Sequence, residues 1–138
     1  MDIMRQREIK FRQWNPKRKH MVYDGNFPFD LNSVALNKVV SLSQGVGTVW
    51  MQFTGRKDKY KMDLYEGDIV EFNHYSEHGN TGKMLGEIYW NDSEACWSIY
   101  SENNEIGMGT KNGLFLGWAK NITKLGNKYE HPELQEEY

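Results

Sequence analysis

Cysteine is nearly absent from this sequence. Cys96 is the only one in 138 residues, so no disulfide staples the chain internally, and a reducing compartment is expected. Proline is scarce, with three, and no apolar run approaches the roughly 20 residues that a helix needs to cross a bilayer. No basic stretch leads into an apolar segment of the kind a secretory signal uses. A soluble, cytoplasmic protein without membrane contact is therefore expected. Neither sign of charge dominates: 17 Lys and Arg against 19 Asp and Glu leave a net charge of −2, which argues against a dedicated, high-affinity nucleic-acid binder. A Gly-rich phosphate loop closed by Lys-Ser or Lys-Thr is also missing, and Gly107-Met108-Gly109 lacks the strand–helix setting that would give it meaning.

What the chain does have is aromatic residues, 14%, and 13 glycines. Aromatics favour half-buried pleated surfaces and glycines favour turns, so the expectation is strands joined by tight turns. One domain spanning 1–138 suits the length. Arg7 to Trp14 alternates with period two, Ile9 and Phe11 on one side and Lys10 and Arg12 on the other, as a strand would. Asn15-Pro16 supplies turn chemistry, and His20 to Tyr23 reads as the return strand. Asp30 to Val40 carries the best helical spacing, with Asp30 as N-cap, while Lys38 to Leu42 can also be read as a strand. Further strands are expected at Thr48–Phe53, Asp68–Phe72, Gly86–Trp90, Ala95–Tyr100, Leu114–Trp118 and Ile122–Leu125. Polar or Gly-rich loops are expected at Thr54–Lys61 and His74–Gly82, a hairpin loop at Asn91–Glu94, and a frayed tail from about Tyr129. The fold class that follows is mainly β: a small barrel-like or strongly bent antiparallel sheet with one short helix.

Charge is unevenly placed. Arg5, Arg7, Lys10, Arg12, Lys17, Arg18 and Lys19 crowd the first 20 residues, while Glu130, Glu133, Glu136 and Glu137 crowd the last. The basic set reads as the outer face and tip of the first hairpin. Lys10, Arg12, Lys17, Arg18, Arg56 and Lys57, beside Tyr75, Tyr89 and Tyr100, form the candidate binding surface, since cations and stacking rings together serve peptides or nucleic acid. His74 and His78 have a chelating spacing, but the residues around them read as loop, so solvated histidines are expected there. Cys96 lies in an alternating strand, where a small packed thiol is ordinary. Glu66, Asp68, Asp92 and Glu94 cluster in pairs, yet turn roles account for them. A divalent-ion hydrolase would have to bring Glu66, Asp68 and Glu87 into one pocket. No catalytic set, metal site or cofactor is expected.

Three stretches together resemble the YopX-like family of phage and prophage proteins. They are Arg7 to Trp14 with Lys19 and Met21; Met51-Gln52-Phe53-Thr54-Gly55-Arg56-Lys57-Asp58-Lys59 continuing to Leu64-Tyr65-Glu66-Gly67-Asp68-Ile69-Val70; and Gly86 to Trp90 with Gly126 to Leu134. Their order and spacing span nearly the whole chain. One departure stands out: Tyr60-Lys61 occupies places where the family often has Asn-Gly, so a longer or differently shaped turn is expected. The segment from Gly67 to Phe72 and on to Ile88 also resembles the centre of SH3-like barrels. What the family resemblance implies is a phage or prophage origin, a bacterial host cell and a β-rich fold. It supplies no agreed activity and no catalytic residues, and the matched Gly55, Gly67, Asp68, Trp14, Phe53, Ile69 and Trp90 suit backbone and core roles. The resulting expectation is a non-enzymatic accessory protein that binds a protein partner of host or phage, or copies of itself as a homo-oligomer. The alternative is nucleic-acid binding through the basic hairpin.

Overall fold

The computed structural model describes residues 7–23, 47–76, 79–101 and 113–137. β1 (Phe11–Asn15) and β2 (His20–Tyr23) form the expected hairpin. Asn15 builds its turn by accepting the backbone N–H groups of Lys17 (3.0 Å) and Arg18 (3.1 Å) on its side-chain oxygen, as Asx turns do. β3 (Val49–Lys57) pairs with the other edge of β1. It runs past its expected end at Phe53, kinking at Gly55, whose φ of +90° suits glycine. The expected loop at Thr54–Lys61 thus shrinks to a turn before β4 (Asp63–Tyr65).

That turn is organised by Asp58. Its Oδ1 accepts the N–H groups of Tyr60 (2.8 Å) and Met62 (2.9 Å), and its Oδ2 accepts that of Lys124 (3.0 Å). Burial pushes the Asp58 carboxyl up, but these amides and the Lys124 charge together hold it below the usual carboxylate range. The turn is tight: Lys61 N–H donates to the Asp58 carbonyl at 3.0 Å, and Lys61 adopts φ +65°.

β5 (Asp68–Ser76) and β6 (Gly79–Asn91) form a long hairpin where a Gly-rich connector was expected. β7 (Cys96–Tyr100), β8 (Leu114–Phe115) and β9 (Lys120–Asn127) complete the strands. A 3-10 turn at Leu116–Trp118 replaces the second half of the strand expected at 114–118. The helix expected at Asp30–Val40 lies outside the described residues. The strands pair antiparallel in two sheets, β2-β1-β3-β4 and β8-β7-β6-β5-β9. The protein is mainly β, a strongly curled half-barrel, and among the described residues its helical turns are 3-10 only.

Leu64 from the first sheet packs among Val70, Phe72, Ile88, Ile99 and Ile122 of the second, forming the main core. Trp14, Met21 and Met51 form a smaller cluster with Val49 and Tyr129. The carboxyl-terminal segment is docked, not frayed. Asn127 Oδ1 accepts the N–H groups of Tyr129 (3.1 Å) and Glu130 (2.8 Å), and Tyr129 stacks on Trp14 with ring centroids 5.9 Å apart. A second 3-10 turn follows at Pro132–Glu137.

The phase of β1 is opposite to the expectation. Arg12 and Trp14 face inward, and Arg12 is 0% exposed, while Ile9 is in solvent. A buried guanidinium is tolerable only with partners, and Arg12 has them. Its NH2 donates to the Glu66 carbonyl at 3.0 Å, and its plane lies 4.8 Å from the Tyr65 ring centroid. NH1 stands 2.9 Å from Asp68 Oδ1. That contact is one of charge, off the axis of a hydrogen bond, so Arg12 Nε and NH1 and Asp68 Oδ1 have no aligned hydrogen-bond partner among the described residues. Asp68 is 0% exposed too. Its Oδ2 accepts Tyr65 N–H at 2.7 Å and meets Lys124 Nζ at 3.2 Å. Burial pushes the Asp68 carboxyl up, while Arg12 and Lys124 pull it back.

Two outcomes are expected from this architecture. Lys61→Gly relieves a left-handed backbone worth about 1–2 kcal/mol against about 0.5–1 kcal/mol of added chain entropy, so urea unfolding should show a gain of up to about 1.5 kcal/mol. Asp68→Leu strands the Arg12 charge and should lose about 3–5 kcal/mol, whereas the double variant Arg12→Met with Asp68→Leu should recover most of it. A double variant no more stable than Asp68→Leu would contradict that account.

Candidate functional site

The candidate surface drawn from the sequence does not come together. Arg12 is interior. Lys10 bonds Asp63 (2.7 Å) and Glu8 (2.9 Å), and these carboxylates hold its ammonium above the ordinary lysine range. Lys57 also binds Asp63, at 2.7 Å. Arg56 donates to the carbonyls of Leu116 and Ala119, tying β3 to the 3-10 turn. Lys17 and Arg18 are exposed at the hairpin tip. Tyr75 lies in β5 opposite Asn80. Tyr89 is half-buried, its phenol pushed up by burial, and Tyr100 is exposed on β7. The described basic side chains, Tyr89 and Tyr100 are therefore dispersed, and most of the cations have structural partners.

The carboxylates of the divalent-ion reading are divided as well. Asp68 is committed to Arg12 and Lys124, and Glu87 meets Lys128 at 3.3 Å. Only Glu66 of the three lines the cleft described next. Asp92 and Glu94 are exposed in the β6–β7 turn. Cys96 is half-buried, 3.6 Å from Ser98 Oγ. His74 falls in β5, and His78 lies outside the described residues. No group of three or more His, Cys, Asp or Glu is placed to hold a metal ion among the described residues.

A concavity instead lies where the two sheets meet. Arg7, Gln52, Glu66, Trp90 and Trp97 line a cleft of about 300 Å³, at the small end of ligand sites. Its local origin is simple. Asn91 closes the β6–β7 turn by accepting Glu94 N–H at 3.2 Å, and Ala95 takes φ +53°. This register sets Trp90 directly opposite Trp97, the kind of cross-strand pair that stabilises a sheet. Their rings meet edge to face, 5.0 Å between centroids and 71° between planes. Trp97 leans on the main core. Trp90, expected inside, is 42% exposed, because it stands at the turn end of the β6–β7 hairpin and faces the open cleft.

The opposite wall comes from the β4–β5 turn. Glu66 N–H donates to the Gln52 carbonyl at 3.0 Å, and Gly67 N–H donates to the Ile88 carbonyl at 2.8 Å, crossing to the second sheet. Gly67 has φ +89°, and a Cβ there would come within 3.2 Å of Met51 Sδ. Burial pushes the Glu66 carboxyl above the ordinary glutamate range; the Gln52 amide, Lys128 and Arg12 oppose that rise and Glu87 adds to it. Neither Trp90 nor Gln52 was singled out for binding from the sequence. The signal was present, since a hairpin loop at Asn91–Glu94 makes the two flanking tryptophans neighbours.

Fold and site together define a curled antiparallel β half-barrel with an aromatic cleft at its seam. No helix among the described residues is long and apolar enough to cross a membrane. The chain belongs to the YopX family: the profile of the YopX protein matches residues 10–136. Its fold is similar to that of protein EF1440 from Enterococcus faecalis, with a TM-score of 0.55 and 20% identity over 94% of this chain and 99% of that one. No curated protein matches it.

Glu66 generates a pH-dependent expectation. A carboxyl whose folded pKa lies above its unfolded value binds protons more tightly when folded, so its ionisation destabilises the fold as pH rises through that range. Glu66→Gln should therefore unfold at equal or higher urea than the parent at pH 7. The difference should shrink as pH falls toward the ordinary glutamate pKa of 4.5. A clear loss of stability at pH 7 would contradict the assignment.

Proposed function

We propose that this member of the YopX family is a phage or prophage accessory protein that acts in the host cytoplasm by binding a partner protein, with the Trp90–Trp97 cleft as its recognition site. One observation carries the reading: an edge-to-face, partly exposed tryptophan pair in a concave junction that also holds a carboxyl group. Aromatic anchors in pockets supply most of the free energy at protein interfaces. Trp90 is fixed by its edge contact with Trp97 and by the strand register, so little side-chain entropy is lost when it is covered. Lys17 and Arg18 support a second reading, phosphate binding, because Asn15 holds both on one exposed turn.

The test is capture from host lysate by tagged parent and by Trp90→Ala, with and without nuclease. The substitution leaves the main core untouched, and unchanged thermal unfolding would check that. A specific partner that survives nuclease and is retained at least about tenfold less by Trp90→Ala is the expected result. Equal retention by both proteins would remove the cleft from the reading. Capture abolished by nuclease would transfer it to the Lys17–Arg18 turn.

A further inference from the structure

We infer that the group this cleft accepts is a cation, a lysine or arginine side chain presented by the partner protein. The inference rests on the reading of the cleft as a recognition site and names what it recognises. Indole faces carry negative quadrupole potential, and among aromatic rings tryptophan attracts cations best. Two indoles at 71° offer two such walls of a corner. Glu66 places a carboxyl group in the same lining, which carries negative charge when ionised.

The charge bookkeeping around the cleft points the same way. Asp68 has Arg12 and Lys124, Glu87 has Lys128, and Asp63 has Lys10 and Lys57. Glu66 differs: its carboxylate takes part in no ion pair among the described residues, and its stabilisation comes from the Gln52 backbone amide and more distant charges. A desolvated carboxylate beside two indoles is half of a cation site. Arg7 is exposed on the rim of the same cleft, where its like charge competes with an incoming cation. An anionic guest would instead meet Glu66 and two π faces with Arg7 alone in its favour.

The test is an NMR titration of the full chain at low ionic strength, reading the indole N–H signals of Trp90 and Trp97. The probes are N-acetyl-lysine methylamide, N-acetyl-arginine methylamide, the neutral norleucine analogue and the acidic glutamate analogue. The two cations should give saturable shifts in the millimolar range expected of so small a ligand, and the other two should give none. Glu66→Gln should weaken cation binding by about tenfold, as loss of a charged partner does. Arg7→Ala should tighten it about twofold or more, since removal of a rim charge relieves repulsion. Norleucine binding as well as lysine, glutamate binding best, no binding by any probe, or an unchanged Glu66→Gln would each overturn the inference. Its failure is distinguishable from failure of the underlying reading. If capture of the partner still depends on Trp90, the cleft remains a recognition site of another chemistry; if that dependence is absent, both fall.

Discussion

The contact on which the rest depends is the buried pair Arg12–Asp68. It joins β1 of one sheet to β5 of the other, and both side chains are shut off from water. Desolvating two charges costs several kcal/mol each, and their attraction repays that only with good geometry and further partners. The further partners here are Lys124, the Tyr65 amide, the Tyr65 ring and the Glu66 carbonyl. They come from two stretches of chain, residues 65–66 and β9, so the pair binds β1, the β4–β5 turn and β9 at once. An apolar contact of similar size would hold the sheets together but would not define their register. The charges do, because a guanidinium displaced by one residue would be buried without a counter-ion.

The same constraint builds the cleft. Arg12 takes hold of the Glu66 carbonyl, Gln52 holds its amide, and Gly67 reaches across to Ile88. The backbone at Glu66 is thereby pinned from both sheets, and its side chain stands at the seam by consequence. Trp90 follows Ile88 on the same strand by two positions, so the bond that anchors Gly67 also fixes the distance between carboxylate and indole walls. The recognition geometry is thus inherited from the polar junction and needs no mobile loop to assemble it.

How far the sequence shows this depends on how local the causes are. Asn15-Pro16 and Asn91-Asp92-Ser93-Glu94 carry their turn chemistry within a few residues, and both hairpins were legible. Gly55 and Gly67 were legible as positions needing positive φ, and Asp68 as a group bonding its own turn. The phase of β1 was not, because Lys10 and Arg12 look like a solvent face until a carboxylate from a remote strand is placed beside them. The hairpin from Asp68 to Asn91 was hidden by Gly79 and Gly82, which weaken strand propensity; long-range pairing overrides it, with Gly82 at φ +78°. The docked tail was hidden for the same reason. Asn127 announces a local turn, but only the fold brings Tyr129 against Trp14. At Lys61 the departure from Asn-Gly suggested a longer or differently shaped turn; a lysine bears the left-handed backbone there, and Asp58 holds the turn closed.

Exposed aromatics alone do not mark a site, since much of any protein surface is apolar. Trp118 is more exposed than Trp90, at 63%, and makes its own edge-to-face pair with Phe115. The difference lies in what surrounds them. Phe115 and Trp118 flank the 3-10 turn next to the edge strand β8, and the nearby cation, Arg56, is spent on the Leu116 and Ala119 carbonyls. Trp90 and Trp97 line a concavity whose other wall is a carboxylate without an ion-pair partner among the described residues. An apolar pair whose nearby cation is already spent offers area but no direction, whereas a corner with one uncompensated charge selects both the shape and the sign of its guest. That selectivity, more than exposure, is why the seam and not the sheet edge carries the functional reading.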